Sequence, residues 1–104
     1  MIVEERIYRI ATGKIPQLME MYEKDGLPIQ LPILGKLIGY FYTDIGTLNQ
    51  VVHLWGYDSL NDRAERRARL MKNEDWRRFI DRATPLILKQ ENRILIPTSF
   101  SPLR

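Results

Sequence analysis

The chain of 104 residues has the usual length of one domain, and its 44% hydrophobic and 28% charged residues exclude an intrinsically disordered protein. The absence of cysteine excludes disulfides and thiolate metal sites, and the short apolar stretches exclude a membrane-spanning helix. The net charge is +3, but acidic residues alternate with the arginines of residues 63–82, which favours a solvated helix face over a nucleic-acid surface. The start also lacks a signal-peptide pattern. We therefore expect one cytoplasmic domain, residues 1–104, with no nucleic-acid or membrane partner.

The first predicted element is a strand at residues 2–11, where β-branched residues are frequent. A helix follows to about residue 24, because Pro16 suits a first turn and apolar residues recur at three- and four-residue spacing. Gly26 is placed to end this helix. Residues 27–36 contain two prolines and are expected to form a long connection.

Three further strands follow from β-branched and aromatic composition. Residues 37–43 (LIGYFYT) and 51–57 (VVHLWGY) are separated by a polar stretch with a glycine, which predicts a hairpin. The last strand is predicted at residues 91–96 (ENRILI), where a proline stops it. We expect the tail, residues 98–104, to lie extended on its own domain or on a partner, with Phe100 as an anchor.

The helical region between the third and fourth strands is predicted to start near Leu60, where Ser59 and Asp62 resemble a capping arrangement. A break at Asn73 divides it into two pieces, and Pro85 is expected to kink or end the second. The order β-α-β-β-α-β is typical of the ferredoxin-like pattern. The predicted fold class is therefore α+β, with a four-stranded antiparallel sheet in the order four-one-three-two.

Side-chain alternation along the strands divides the sheet residues into two faces. We expect the helices to cover the apolar set: Val3, Ile7, Val52, Leu54, Ile94 and Ile96. The opposite face then holds the aromatic and charged set: Glu4, Arg6, Tyr8, Tyr40, Tyr42, His53, Trp55, Tyr57, Glu91, Arg93 and Leu95. An exposed aromatic face with charges needs a cover that leaves a polar cavity, and a second copy across a two-fold axis supplies it. We therefore expect a homodimer.

His53 is the only histidine, so any imidazole acid–base step must use it. The candidate catalytic set is His53 with two carboxylates, Glu4 and Glu91. Alternatively, His53 completes a structural hydrogen-bond network with one of them at the dimer seam. The candidate substrate-binding residues are the neighbouring arginines and aromatics: Arg6, Tyr8, Tyr40, Tyr42, Trp55 and Arg93. With one histidine, no cysteine and no phosphate-loop motif, we expect no metal and no cofactor.

Three stretches resemble the NIPSNAP family, and together they cover nearly the whole chain. VEERIYRIATGK, at residues 3–14, and QENRILIPTSFSPLR, at residues 90–104, match the family at positions that include Glu4, Arg6, Tyr8, Gly13, Lys14, Glu91 and Arg93. The more specific stretch is GTLNQVVHLWGYDSLNDRAERR, with matches at Asn49, Gln50, His53, Leu54, Trp55, Tyr57, Ser59, Arg63, Arg66 and Arg67. The resemblance implies a ferredoxin-like fold dimerised into an α/β barrel, and it implies no established reaction.

Two functions remain open at this point. The first is a binding or scaffold homodimer with a polar-aromatic cavity at the dimer seam, which takes a small organic ligand. The second is a small-molecule enzyme of cofactor-independent monooxygenase or isomerase type that uses His53 as its acid–base group. A ligand-sized cavity beside His53 distinguishes a site from a packed seam.

Overall fold

The computed structural model of the chain describes residues 1–104 and contains one antiparallel sheet of four strands. The strands are β1 (Ile2–Ile10), β2 (Lys36–Tyr42), β3 (Gln50–Tyr57) and β4 (Ile87–Leu95). Their order is β2-β3-β1-β4, so β1 and β3 are central. This confirms the predicted α+β, ferredoxin-like arrangement and its strand order. None of the helices has the length and apolar character that a membrane crossing needs.

The first helical region is longer than the sequence pattern predicts. Helix α1 (Ile15–Met21) passes through one π-helical segment (Tyr22–Gly26) into helix α2 (Leu27–Leu34). The predicted connection at residues 27–36 is therefore wrong. Pro28 lies in the first turn of α2, directly after the π-helical segment, where the helical hydrogen-bond pattern changes. The helix ends at Gly35, whose φ of 91° favours glycine and whose N–H bonds to the carbonyl of Leu31.

Gly26 has a different role from the predicted helix end. It has a helical backbone, and a Cβ built on it lies 2.8 Å from an atom of the Phe79 ring and 2.8 Å from one of the Tyr22 ring. Such a distance is far inside van der Waals contact. The absence of a side chain at Gly26 therefore lets the second helical region pack closely against the first.

The second helical region follows the sequence pattern closely until its end. Helix α3 (Leu60–Lys72) begins at Ser59, which accepts a hydrogen bond from the Asp62 N–H, and helix α4 (Glu74–Ala83) begins at Asn73. Pro85 lies in a short 3₁₀ turn that ends this region. Strand β4 starts at Ile87, which is earlier than predicted. Its first half lacks an alternation of apolar and polar residues because it is an exposed edge strand, so the sequence pattern does not reveal it.

The predicted assignment of sheet faces is wrong for β1, β2 and β3, whereas β4 agrees with it, because Ile94 lies on the helix side and Glu91, Arg93 and Leu95 lie on the uncovered side. The helices cover the aromatic and charged set of β1 and β3, and the buried core combines sheet residues such as Trp55 and Val51 with helix residues such as Leu18, Leu70 and Phe79. Alternation yields two sets of residues but does not say which set meets the helices. The aromatic set buries the larger area, and its charges find partners on β4 and on the helices, so its burial leaves few unpaired charges.

The strand β4 is also shifted by one residue relative to the prediction. Glu4 pairs with Ile94, whereas Glu5 pairs with Arg93 and Ile7 pairs with Glu91. A shift by one residue moves every side chain to the other face. Consequently Ile94 lies on the same face as Glu4. The opposite face holds Glu91, Arg93 and Leu95.

The sheet face that no helix covers, here called the open face, is mainly apolar at its centre. Its central residues are Val3, Glu5, Ile7, Gly39, Phe41, Val52, Leu54, Glu91, Arg93 and Leu95, and towards its ends lie Arg9, Lys36, Gln50, Gly56 and Lys89. The Phe41 side chain is 56% exposed, and an ion pair of 2.8 Å joins Arg93 to Glu5. Phe100 in the tail is 83% exposed, so its predicted packing on its own domain is wrong, and packing on a partner stays a prediction.

Candidate functional site

Glu4 lies at the centre of an ionic cluster on the helix side of β1. Its side chain is fully buried, and its Oε2 accepts hydrogen bonds from Arg63 (2.7 Å), Asn92 (2.7 Å) and Arg6 (3.0 Å). Burial alone raises the pKa of this carboxyl, but the hydrogen bonds and the two guanidinium charges outweigh it and lower the pKa to about 2. Glu4 is therefore ionised at neutral pH and fixes its neighbours.

Arg6 connects this cluster to Tyr8. Its Nη1 donates to Glu4, and its Nε and Nη2 donate to the Tyr8 hydroxyl oxygen at 3.0 and 2.8 Å. A phenol oxygen has two acceptor positions and one proton. Because Arg6 occupies both acceptor positions, the Tyr8 hydroxyl proton remains free to bond another acceptor.

His53 is 2% exposed and lies next to Tyr8. The Tyr8 ring meets it edge-on with centroids 5.1 Å apart, and the Tyr40 ring stacks on it at 4.5 Å. Its Nδ1 accepts a hydrogen bond of 2.8 Å from the indole N–H of Trp55, which can only donate. The neutral ring therefore has its proton on Nε2, and Nε2 is buried without a partner.

The protonation state of His53 follows from its surroundings. Burial, and then the positive charge of Arg6, lower the pKa of His53 to about 3. A ring with this pKa is neutral throughout the physiological range. His53 thus presents a fixed N–H donor, and the geometry gives no support to the predicted acid–base role.

A cleft of about 450 Å³, here called the outer cleft, opens between β1 and β4 on one side and helices α3 and α4 on the other. Three cationic residues, Arg6, Arg67 and Lys89, line it, and no acidic residue does. Its apolar walls are Met71, Trp76, Ile80, Ile87 and Leu88.

Arg67 differs from the two other half-buried arginines of α3. Arg63 pairs with Glu4 and Arg66 pairs with Asp62, but Arg67 has no hydrogen-bond or salt-bridge partner. It is only partly exposed, and burial together with the charge of Arg6 lowers its pKa. The structure therefore holds an unpaired guanidinium in a half-buried position beside a second one.

A smaller void of about 50 Å³, here called the inner cavity, lies behind the outer cleft. His53, Tyr40, Tyr22 and Phe79 line it. The outer cleft and the inner cavity adjoin each other, because five residues line both of them: Tyr8, Gln30, Trp76, Ile80 and Ile87.

The predicted site residues divide into two groups. The structure brings together Arg6, Tyr8, Tyr40, His53 and Trp55, and Arg6 links Glu4 to them. Glu91 borders only a neighbouring depression of about 280 Å³, Arg93 bonds to Glu5 on the open face, and Tyr42 is 65% exposed at the end of β2. The inner cavity, which Tyr8, Tyr40 and His53 line, lies within a single chain, on the helix side of the sheet, whereas these residues were expected on the uncovered face.

The predicted site contains no helix residues, because the acidic residues among the arginines of α3 favour a solvated face. A signal for them exists in the sequence, since Arg63, Arg67 and Leu70 are spaced by four and three residues. That spacing places them on one helix face, and Leu70 is fully buried. No group of three or more histidine or acidic side chains could hold a metal ion.

Known proteins resemble the chain along most of its length. The NIPSNAP family model matches residues 3–102. The zebrafish (Danio rerio) protein NipSnap homolog 1 is 43% identical over 70 residues, which are 67% of this chain and 25% of that protein. The chain thus spans about a quarter of the length of that curated relative.

Solved structures show the same likeness in three dimensions. The crystal structure of a NIPSNAP family protein from Agrobacterium tumefaciens superposes with a TM-score of 0.97, is 59% identical, and covers 99% of this chain and 98% of its own. A putative antibiotic biosynthesis monooxygenase from Nitrosomonas europaea (11% identical, TM-score 0.69) and a dimeric ferredoxin-like protein from an uncultured marine organism (9% identical, TM-score 0.73) share the fold alone. From the match over residues 3–102, the chain belongs to the NIPSNAP family.

Proposed function

We propose that this protein binds a small organic anion in the outer cleft. The observation that supports this most is the unpaired Arg67 beside Arg6. A half-buried guanidinium loses part of its hydration and normally regains that free energy from a carboxylate or phosphate. Within the protein, Arg67 has no such partner, so an anionic ligand is the group that fits it.

The charges around the cleft add to this argument. The one buried carboxylate, Glu4, already accepts from two guanidinium groups, Arg6 and Arg63. Its charge is therefore shared with Arg6 and Arg63, and Arg67 in the cleft lining has no ion-pair partner of its own. The resulting positive potential attracts an anion and raises its local concentration.

The walls and the size of the cleft indicate that the anion is organic. Trp76 and Ile80 on α4 and Ile87 on β4 offer apolar surface next to the cations. The volume of about 450 Å³ lies within the range of roughly 300–1,000 Å³ that small-molecule sites have. A ligand with one anionic group and an apolar body satisfies both parts of this lining.

A binding experiment with heptanoate as the probe tests this function. Isothermal calorimetry should detect binding to the wild-type chain, and Arg67→Gln should weaken it about tenfold, since a charge-assisted hydrogen bond is lost. Arg69→Gln is the matched control, because Arg69 is exposed on the same helix. Equal binding by both variants would contradict the proposal.

The homodimer forms the second part of the proposed function, and we place its interface on the open face. Val3 and Ile7 lie at the centre of that face, and Phe41 and Leu95 remain exposed on it. Apolar sheet faces of this kind commonly mark an interface between proteins. The solved dimeric protein with the same fold shows that this architecture supports dimers.

The alternative function, an enzyme that uses His53 as its acid–base group, has less support. A general base needs a free lone pair and a pKa near the working pH. The Nδ1 lone pair of His53 is occupied by Trp55, and its pKa is about 3. Binding is therefore the function that the geometry favours.

A further inference from the structure

We infer that the ligand of this site is an oxo acid: its anionic group lies at Arg67 in the outer cleft, and a carbonyl oxygen at its far end accepts hydrogen bonds from His53 and Tyr8 in the inner cavity. This inference rests on the proposed anion site. It adds the chemical class of the ligand and its direction in the cleft.

The first step is the unpaired donor on His53. The Nε2 atom is buried and has no hydrogen-bond partner. Because Trp55 donates to Nδ1, the ring cannot switch tautomer without losing that bond, so Nε2 remains a donor. A buried donor without an acceptor costs free energy, and an acceptor atom in the adjoining void would remove that cost.

The second step is Tyr8, a residue that lines both voids and carries a hydroxyl group. Arg6 donates two hydrogen bonds to its oxygen and fixes it in place. Its remaining proton is free to donate to an acceptor, and no acceptor within the protein takes it. The Tyr8 and His53 rings are in edge-on contact, with centroids 5.1 Å apart. Both residues line the inner cavity, so one acceptor group can lie within reach of both.

The third step is the shape of the void. The inner cavity, at about 50 Å³, is too small for a whole ligand but large enough for a carbonyl group. It shares the apolar residues Trp76, Ile80 and Ile87 with the outer cleft. An apolar chain along these side chains therefore joins a carboxylate in the outer cleft to an acceptor in the inner cavity. A carbonyl oxygen only accepts hydrogen bonds, and it has two lone pairs. It therefore fits the two donors, His53 and Tyr8.

Pairs of isosteric probes separate this class from an ordinary fatty acid. We would compare 6-oxoheptanoate with 6-methylheptanoate, and repeat the comparison with shorter and longer homologues, because the chain length sets which oxygen reaches His53. Each pair differs only in the replacement of a carbonyl by a methyl-bearing carbon. At the best length, the wild-type chain should bind the oxo acid about tenfold more tightly, which is the effect of one to two satisfied donors.

The single histidine of this chain provides a direct second readout. In protein labelled with ¹⁵N-histidine, the Nε2–H signal needs no assignment against other imidazoles. It should move downfield with the oxo acid and stay in place with the methyl acid. A shift caused by both probes would contradict the inference, since both would then act only by closing the cleft.

Variants of His53 complete the test. His53→Leu removes the donor and should abolish the preference for the oxo acid while heptanoate still binds. His53→Gln offers both an acceptor for Trp55 and a donor, and should retain part of the preference. If the leucine variant does not fold, the relative affinity of the wild-type chain for the oxo and methyl acids still tests the inference.

The failures of the two proposals are distinguishable. Equal affinity for both members of every pair, with binding still weakened by Arg67→Gln, would overturn the oxo-acid inference and leave the anion site intact; a water molecule would then satisfy His53 and Tyr8. Binding that does not depend on Arg67, or no binding of any probe, would overturn the anion site itself.

Discussion

Glu4 holds three donors through one carboxylate oxygen, and two of them belong to charged guanidinium groups. Glu4→Gln would leave Arg6 and Arg63 in a half-buried position without a counter-charge. Removing one partner of a buried ion cluster costs about 3–5 kcal/mol of unfolding free energy. We therefore expect this loss in urea denaturation.

The control for that variant is Asp75→Asn. Asp75 pairs with Arg78 on the surface, where both side chains are mostly exposed. An exposed ion pair of this kind contributes little to stability, because water screens it. If Glu4→Gln were no more destabilising than Asp75→Asn, the cluster would not anchor β1 to α3 as argued.

His53 also predicts how stability depends on pH. Its pKa is about 3 in the folded chain against 6.5 for an ordinary histidine, so below pH 6.5 the unfolded chain takes up a proton that the folded chain does not. The contribution of His53 to the free energy of unfolding is thus fully present above pH 6.5. It falls as the pH is lowered towards 3, with a limiting slope of about 1.4 kcal/mol per pH unit.

This pH prediction is best measured between pH 6.5 and 5, above the range in which Glu4 titrates in the unfolded chain. Since the chain has no other histidine, His53→Gln should remove most of the slope in this window. A wild-type stability that stays constant from pH 6.5 to 5 would show that His53 is hydrated in the folded protein.

At the scale of the elements, Gly26 fixes the packing between the two helical regions. In a free helix, alanine is more favourable than glycine by about 1 kcal/mol. Here Gly26→Ala should instead destabilise the fold by about 1–3 kcal/mol, because the new methyl group overlaps the Phe79 and Tyr22 rings. The sign of the change in thermal unfolding therefore separates close packing from intrinsic helix preference.

A double-mutant cycle identifies the cause of that change. If the Phe79 ring is the obstacle, Phe79→Leu should cost less in the Gly26→Ala background than in the wild-type chain. Additive losses would mean that the methyl group is accommodated elsewhere.

Elements set by local residues could be predicted from the sequence. The strands of the hairpin, the cap at Ser59 and the break at Asn73 depend on neighbours within a few positions. The continuation of the first helical region through residues 27–34 could not, because two prolines normally argue against a helix. It depends on a π-helical segment and on packing against Phe79.

The covered face of the sheet needed information that local pattern does not contain. Glu4 is buried because Arg63, 59 positions away in the chain, donates to it. Without that partner a buried carboxylate is costly, so the sequence favours exposure. The grouping of Arg6, Tyr8 and His53 was predictable from strand pairing, whereas Arg67 required the approach of α3 to be known.

At the scale of the whole molecule, the two faces of the sheet differ in what lies on them. The covered face holds the cleft and the cavity, and the open face is left with exposed apolar side chains. Phe41 lies on the open face with Gly39, and its ring takes the space that a Cβ at Gly39 would need. The ring therefore lies flat over the sheet, where a second copy can pack on it.

We expect the chain to sediment as a dimer at micromolar concentration, with more than about 1,000 Å² buried in total between the open faces. Phe41→Glu places a charge within that contact, and burying an unpaired charge costs enough to dissociate the dimer. Leu60→Glu is the matched control, because Leu60 is 59% exposed on α3 and Phe41 is 56% exposed on β2. The control should remain dimeric. Because the outer cleft lies on the opposite side of the sheet, the Phe41→Glu monomer should still bind heptanoate. A wild-type monomer in sedimentation velocity would contradict the dimer itself. Dissociation of both variants alike would contradict its placement on the open face.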